Sequence, residues 1–150
     1  MNGRKKVTVV GAGNVGEQKI AGLLETGARV RVVALGSTPT VRGWAHLGKI
    51  ELEPRAYTHD DLHGAFLVVA ATASRSLNER IYHESQRLGV LCNVVDVPDL
   101  CDFFYPSVVR RGDLQIAVST AGQSPSLAQK IRQQLEKQFG PGYGTWVAEL

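Results

Sequence analysis

Two groups of residues in this 150-residue chain have the types and spacing to do chemistry. The first is Gly11-Ala12-Gly13-Asn14-Val15-Gly16, a GxGxxG run that follows a β-branched stretch and opens a helical one. Its glycines suit a dinucleotide. Gly11 permits a sharp turn, Gly13 lets the backbone approach a pyrophosphate, and Gly16 lets helix and strand pack closely. Free N–H groups at the helix start, backed by the positive end of the helix dipole, would then hold the phosphates. A ligand-free tight turn is the competing reading, and the strand-to-helix context favours the nucleotide. The second group is Asn93-Val94-Val95-Asp96-Val97-Pro98, which puts a carboxylate at the carboxyl end of a strand. Ligands sit at that edge in open α/β sheets. There Asp96 can act as a general base beside a nicotinamide, taking a proton as hydride leaves the substrate. That role calls for a pKa tuned by partial burial. Asp96 can equally cap the turn before Pro98.

One feature of such nucleotide sites is missing. An acidic residue about 20 positions on usually holds the ribose hydroxyls, yet no Asp or Glu stands between Glu25 and Glu51. Ribose contacts are therefore expected from the backbone around Leu35 and Gly36, or from Ser37 and Thr38. Arg29, Arg31 and Arg42 leave a 2′-phosphate, and so NADP as well as NAD, open. Thr72, Ser74 and Asn78 flank the end of a central strand and are expected to line the cofactor cleft. His59 and His63 could share a helix face as metal ligands, but no third ligand is visible, so no metal is expected. Arg110 and Arg111 could pair with substrate carboxylates, or simply charge a hairpin turn.

These residues must be positioned by an alternation of strands and helices. Strands are expected at 7–10, 29–35, 50–53, 66–71 and 90–95, that at 66–71 continuously apolar as in a sheet covered on both faces. Helices are expected at 15–26, around Trp44 and Leu47, after the capping pair Thr58 and Asp61, and at 76–88. That order implies a Rossmann-type parallel sheet with helices on both faces, built by right-handed crossovers. The pattern then changes. Strands at 103–109 and 114–119 flank Arg110-Arg111-Gly112-Asp113, with Pro106 limiting an edge. A helix opens at Ser124-Pro125 with Leu127, Ile131 and Leu135 on its inner face. Gly140-Pro141-Gly142-Tyr143-Gly144 then breaks the chain. A nucleotide domain at 1–102 and a small α+β region at 103–150 are expected. There is no internal repeat or low-complexity tract.

Composition narrows the class. The chain is 43% hydrophobic, enough for a core, and its formal charge of +3 comes from scattered Lys and Arg. Without a dense basic stripe, nucleic acid is not an expected partner, whereas a small polyanion is. No apolar run is long enough for a bilayer and none reads as a signal peptide, so no membrane partner and a cytoplasmic location are expected. Cys92 and Cys101 are expected as buried reduced thiols.

Taken together, several stretches resemble the N-terminal module of siroheme synthases and their single-function relatives, the precorrin-2 dehydrogenases. They are residues 9–15 with Lys19, Ala70-Ala71-Thr72 with Leu77-Asn78, residues 93–98, residues 103–106 and residues 118–128. The resemblance implies NAD-dependent oxidation of precorrin-2 to sirohydrochlorin by a homodimer whose second region, here 103–150, joins the subunits. It carries the catalytic role onto Asp96, cofactor contacts onto Asn14, Val15, Leu35 and Gly36, and tetrapyrrole contacts onto Asn93, Thr120 and Ser124. Some members carry a phosphorylatable serine at the position of Thr120. In bifunctional members the same aspartate also serves iron insertion, a ferrochelatase step. The chain departs from the usual family pattern at Ala12, Gly16 and Ala121. Family members continue into a further helical segment, so 103–150 is expected to be the start of a longer part. A nucleotide-sensing regulatory domain without catalysis is the alternative, although such domains keep the acid after the second strand.

Overall fold

The computed structural model describes residues 5–103 and 106–150. The chain divides into two compact units, Met1–Phe103 and Phe104–Leu150.

In the first unit the valine-rich runs become strands. β1 (Lys6–Ala12), β2 (Arg29–Ser37), β3 (Glu51–Glu53), β4 (Leu67–Ala70) and β5 (Leu91–Val94) form one sheet in the order β3-β2-β1-β4-β5, all neighbours parallel. Val9, Val32, Val33, Val68 and Val69 are wholly buried. Each such side chain contributes about 1.5–3 kcal/mol relative to leaving it exposed. Burial on both faces is why these strands show no polar alternation. Helix α1 (Asn14–Glu25) lays Gly16, Ile20 and Leu23 inward. Helix α2 (Pro39–His46) is capped by Thr38, whose side chain accepts from the Val41 N–H at 3.2 Å. It buries Val41, while Leu47 lies beyond its end and is exposed. Helix α3 (Arg75–Leu88) starts from Ser74, which accepts the Leu77 N–H at 3.2 Å, and buries Ile81 and Ser85. Its last residue, Leu88, is exposed.

Two readings change here. The second strand runs two residues past Leu35, to Ser37, because Ser37 still pairs with Ala12 after an irregularity between Val10 and Ala12. The Thr58–Asp61 pair opens only a 3-10 turn, His59–Leu62. Asp61 accepts the Thr58 N–H at 2.8 Å, but it is 1% exposed and also receives both Nη groups of Arg55, at 2.6 and 2.9 Å. It is a buried ion-pair centre as well as a cap.

The register decides where a ligand can sit. Val33, Val10, Ala70 and Val94 form one row across the sheet. The residues just beyond that row therefore emerge together at one edge. The chain builds β2 and β3 on one side of β1, then crosses to place β4 and β5 on the other. The switch point lies between β1 and β4, which is where such sheets open a crevice.

The second unit pairs β6 (Ser107–Arg111) antiparallel with β7 (Leu114–Val118) across Gly112 and Asp113. Gly112 takes φ +59°, as the first central position of a two-residue hairpin turn requires. The expectation for 103–106 falls partly on residues 104–105, outside the described residues. Helix α4 (Pro125–Gln138) follows, with Ser124 accepting the Leu127 N–H at 3.3 Å. Its buried residue is Ala128, and of the expected inner positions Ile131 and Leu135 are half-buried while Leu127 is 49% exposed. Helix α5 (Gly142–Glu149) occupies what reads as a breaker. One of its glycines is used for contact: a Cβ on Gly144 would lie 2.9 Å from the backbone of Arg111 and Gly112. Tyr143 packs edge-on to Phe139 and to Trp146.

Candidate active site

A cleft of about 910 Å³ lies at the carboxyl edge of the sheet, lined by the residues that follow the Val33–Val10–Ala70–Val94 row. Its floor is the glycine turn. Gly11 holds φ +105°, and a Cβ there would stand 2.4 Å from the Ala71 carbonyl oxygen. Gly16 does not line the cleft; a Cβ on it would stand 2.3 Å from the Gly11 carbonyl oxygen, so it lets α1 press against the turn. Gly13 differs, because nothing lies within 4 Å of where its Cβ would be, and it faces the cleft. Gly13 is also the N-cap of α1 and contributes no side-chain cap. The N–H groups of the exposed residues Asn14 and Val15 thus belong to an uncapped helix start beside open space, which fits a pyrophosphate.

The β2 end of the cleft is apolar. Leu35, 80% exposed, and Gly36 line it where an acid would usually sit. The three arginines considered for a 2′-phosphate are elsewhere. Arg29 pairs with Glu51 at 2.8 Å, Arg31 with Asp61 and Glu53 at 3.7 and 3.8 Å, and Arg42 donates to the Ser37 carbonyl. None of them lines the cleft. The Thr38 hydroxyl is committed to Glu17 at 2.7 Å.

On the β4 side, Thr72 and Ser74 line the cleft as expected, but Asn78 does not. Asn78 is buried and locks the loop instead. It accepts the Thr72 hydroxyl at 2.5 Å and the Thr72 N–H at 3.2 Å, and donates to the Thr72 carbonyl at 3.1 Å.

Asp96 lines the far end, one residue past Val95, whose N–H reaches the Ala70 carbonyl at 3.1 Å. It is exposed and sits at φ +64°, a left-handed conformation that aspartate tolerates better than most residues. Among the described residues its carboxylate caps no backbone N–H. Partial burial of the acid, expected from its assigned role, is not found. The nearby half-buried group is Lys19 of α1. Desolvation lowers its pKa, while the charges of Asp96 and Cys101 pull it back up.

The remaining expected residues are held in other ways. Asn93 is buried, donating its amide to the Phe103 carbonyl at 2.8 Å, and it is absent from the cleft lining. That side chain ties β5 to the segment that pairs beside it, where Asn93 bridges Cys101. Thr120 and Ser124 belong to the second unit, where the Ser124 N–H donates to the Thr120 hydroxyl at 2.9 Å ahead of α4. Arg111 donates to the carbonyls of Phe139 and Glu136 at 2.8 and 3.3 Å, so it fastens the end of α4. His59 and His63 are exposed on either side of Asp60. Among the described residues no three metal-ligating side chains gather. Cys92 is fully buried and its thiol is pushed up to about 11, chiefly by burial, whereas Cys101 is only partly buried.

Three lining residues with polar side chains escaped the sequence reading: Arg55, Tyr57 and Arg80. Arg80 stands at i+3 from Leu77 on α3, and both face the cleft, a spacing that could have flagged it.

A parallel sheet in this order, with a close glycine turn and an uncapped helix start at its switch point, defines a dinucleotide-binding domain of the Rossmann type. The NAD(P)-binding family model matches residues 2–107, and the chain belongs to that family. A second model, sirohaem biosynthesis protein central, matches residues 111–138. The chain is 41% identical over 136 residues to the siroheme synthase of Nitrosococcus oceani, covering 91% of this chain and 29% of that protein. It is 37% identical over 137 residues to that of Methylococcus capsulatus, with coverage of 91% and 29%. It therefore spans less than a third of the length of these relatives. Among solved structures, SirC, precorrin-2 dehydrogenase, superposes with a TM-score of 0.82 at 26% identity, covering 97% of this chain and 71% of that one.

Proposed function

We propose that this chain is an NAD-dependent dehydrogenase acting on precorrin-2, yielding sirohydrochlorin. The observation that carries the reading is the placement of one carboxylate, Asp96, on the same cleft edge as the glycine cradle of Gly11, Gly13 and Asn14. Among the described lining residues Asp96 is the one carboxylate. The likeness to siroheme synthases and to SirC supports the choice of substrate.

The oxidation removes one hydride and one proton from the tetrapyrrole and forms a carbon–carbon or carbon–nitrogen double bond. A bound nicotinamide supplies the hydride acceptor. Asp96 takes the proton through its carboxylate, a contribution of about 10²–10⁴ in rate for such a base. The N–H groups at the start of α1 hold the pyrophosphate, and the Thr72–Asn78 lock keeps the neighbouring wall rigid. Exposed Leu127 and Trp146 in the second unit support its reading as the surface that joins two subunits, and free thiols at Cys92 and Cys101 are consistent with a reducing cytoplasm.

The test is to mix the chain with precorrin-2 and NAD⁺ and to follow the absorbance of reduced nicotinamide. Formation of one NADH per sirohydrochlorin supports the reading. Tight NAD⁺ binding without any reaction would favour a nucleotide-sensing role instead.

A further inference from the structure

The end of the cleft opposite Asp96 carries a feature that the dehydrogenase reading leaves unused. Arg55 and Arg80 both line it, beside Tyr57. Arg55 is fixed by its paired bonds to Asp61. The guanidinium of Arg80 lies over the Tyr57 ring, 5.4 Å from its centroid, with Nε 3.6 Å from Glu84. The Tyr57 hydroxyl in turn donates to Glu84 at 2.5 Å. Ring, carboxylate and guanidinium thus brace one another, and Arg80 still keeps its side chain 55% exposed.

Topology says which half of a dinucleotide meets this wall. Arg55 and Tyr57 follow β3 and Asp96 follows β5, and these two strands are the margins of the five-stranded sheet, four strand spacings or about 19 Å apart. The glycine turn after β1 lies between them. A dinucleotide whose pyrophosphate sits on that turn and whose nicotinamide approaches Asp96 must send its adenosine towards β2 and β3. There it meets Leu35 from the β2 end and Leu77 and Arg80 from α3. We propose that Arg80, seated on Tyr57, holds the adenine of the bound dinucleotide by stacking its guanidinium plane on the base, with Leu35 supplying an apolar contact. A planar cation suits this task because it stacks on aromatic faces as well as pairing. The proposal rests on the dinucleotide occupying the cleft with its nicotinamide towards Asp96.

The experiment compares the full chain with Arg80→Gln and Arg80→Lys by calorimetry, using NAD⁺, ADP-ribose and nicotinamide mononucleotide as probes. Arg80→Gln is expected to weaken NAD⁺ and ADP-ribose alike by about tenfold, equal to about 1.4 kcal/mol, and to leave nicotinamide mononucleotide unaffected. Arg80→Lys is expected to recover only part of the loss, since charge returns without the plane. Thermal unfolding of each variant within a degree or two of the parent, expected for so exposed a side chain, shows that binding and not folding has changed. Unchanged ADP-ribose affinity in both variants overturns the proposal while leaving the dehydrogenase reading intact. Equal weakening of the mononucleotide also overturns it. Failure of the parent chain to bind NAD⁺ at all overturns both.

Discussion

Gly16 lies so close beneath Gly11 that a Cβ on Gly16 would stand 2.3 Å from the Gly11 carbonyl oxygen. Gly13, between them in sequence, has open space where its Cβ would be. Glycines of one motif therefore do different jobs, two for the protein's own packing and one for the ligand. Gly16→Ala is expected to destabilise the fold by about 1–3 kcal/mol through overpacking, read by urea unfolding. Gly13→Ala is expected to unfold at the parent temperature and yet bind NAD⁺ at least tenfold more weakly by calorimetry.

Asp61 is the electrostatic anchor behind the cleft wall. Burial alone would raise its pKa, but hydrogen bonds from Arg55 and the Thr58 N–H, with the charges of Arg55 and Arg31, outweigh that and hold it below the usual carboxylate value. The folded pKa thus lies below the unfolded one, near 3.9. Its stabilisation is complete above about pH 4 and is lost as pH falls through the folded pKa. Asp61→Asn should cost about 1–3 kcal/mol at pH 7, because the amide gives up one of the buried acceptor oxygens that Arg55 and the Thr58 N–H use. Unfolding free energies of parent and variant should differ at neutral pH and converge as the pH falls below the folded pKa of Asp61.

Burial pushes the Cys92 thiol up to about 11, and Cys101 is raised for the same reason while its Sγ donates to the Val94 and Val97 carbonyls. Little thiolate forms at pH 7.5. Colorimetric thiol labelling of the native chain should be slow at both sites and reach two equivalents only after unfolding. Rapid native labelling of Cys92 would contradict the packing of β5.

Ala121 holds φ +52° ahead of α4, a conformation that costs an L-residue about 1–2 kcal/mol. Part of that is offset by the extra freedom glycine brings to the unfolded chain. Ala121→Gly should therefore raise stability by up to about 1 kcal/mol, measured by thermal unfolding. No gain, or a loss, would mean that this loop is not left-handed at 121.

What could be read without the structure follows from which forces are local. Strands at 7–10 and 66–71 were legible because burial on both faces leaves an uninterrupted apolar run, and Asp96 because a strand end is marked by the turn residues after it. Arg55 and Tyr57 were not, because they reach the wall through the segment that follows β3 at the margin of the sheet, whereas Arg80 shares a helix face with Leu77 and only its meeting with Tyr57 is non-local. The place of Asn93 outside the cleft lining was hidden for a similar reason: the Phe103 carbonyl that claims its amide is ten residues away. Helix α5 looked like a breaker because Gly142 and Gly144 are costly in isolated helices. Here the absent side chain at Gly144 is what admits the hairpin backbone.

The claim on which the chemistry turns is that the carboxylate of Asp96 receives the substrate proton. Asp96→Asn removes only the charge, since asparagine accepts the same left-handed backbone at φ +64°. With precorrin-2 and saturating NAD⁺, the variant should bind NAD⁺ as the parent does and form NADH at least about 100-fold more slowly. NADH formation at the parent rate by a fully folded Asp96→Asn chain would contradict the account.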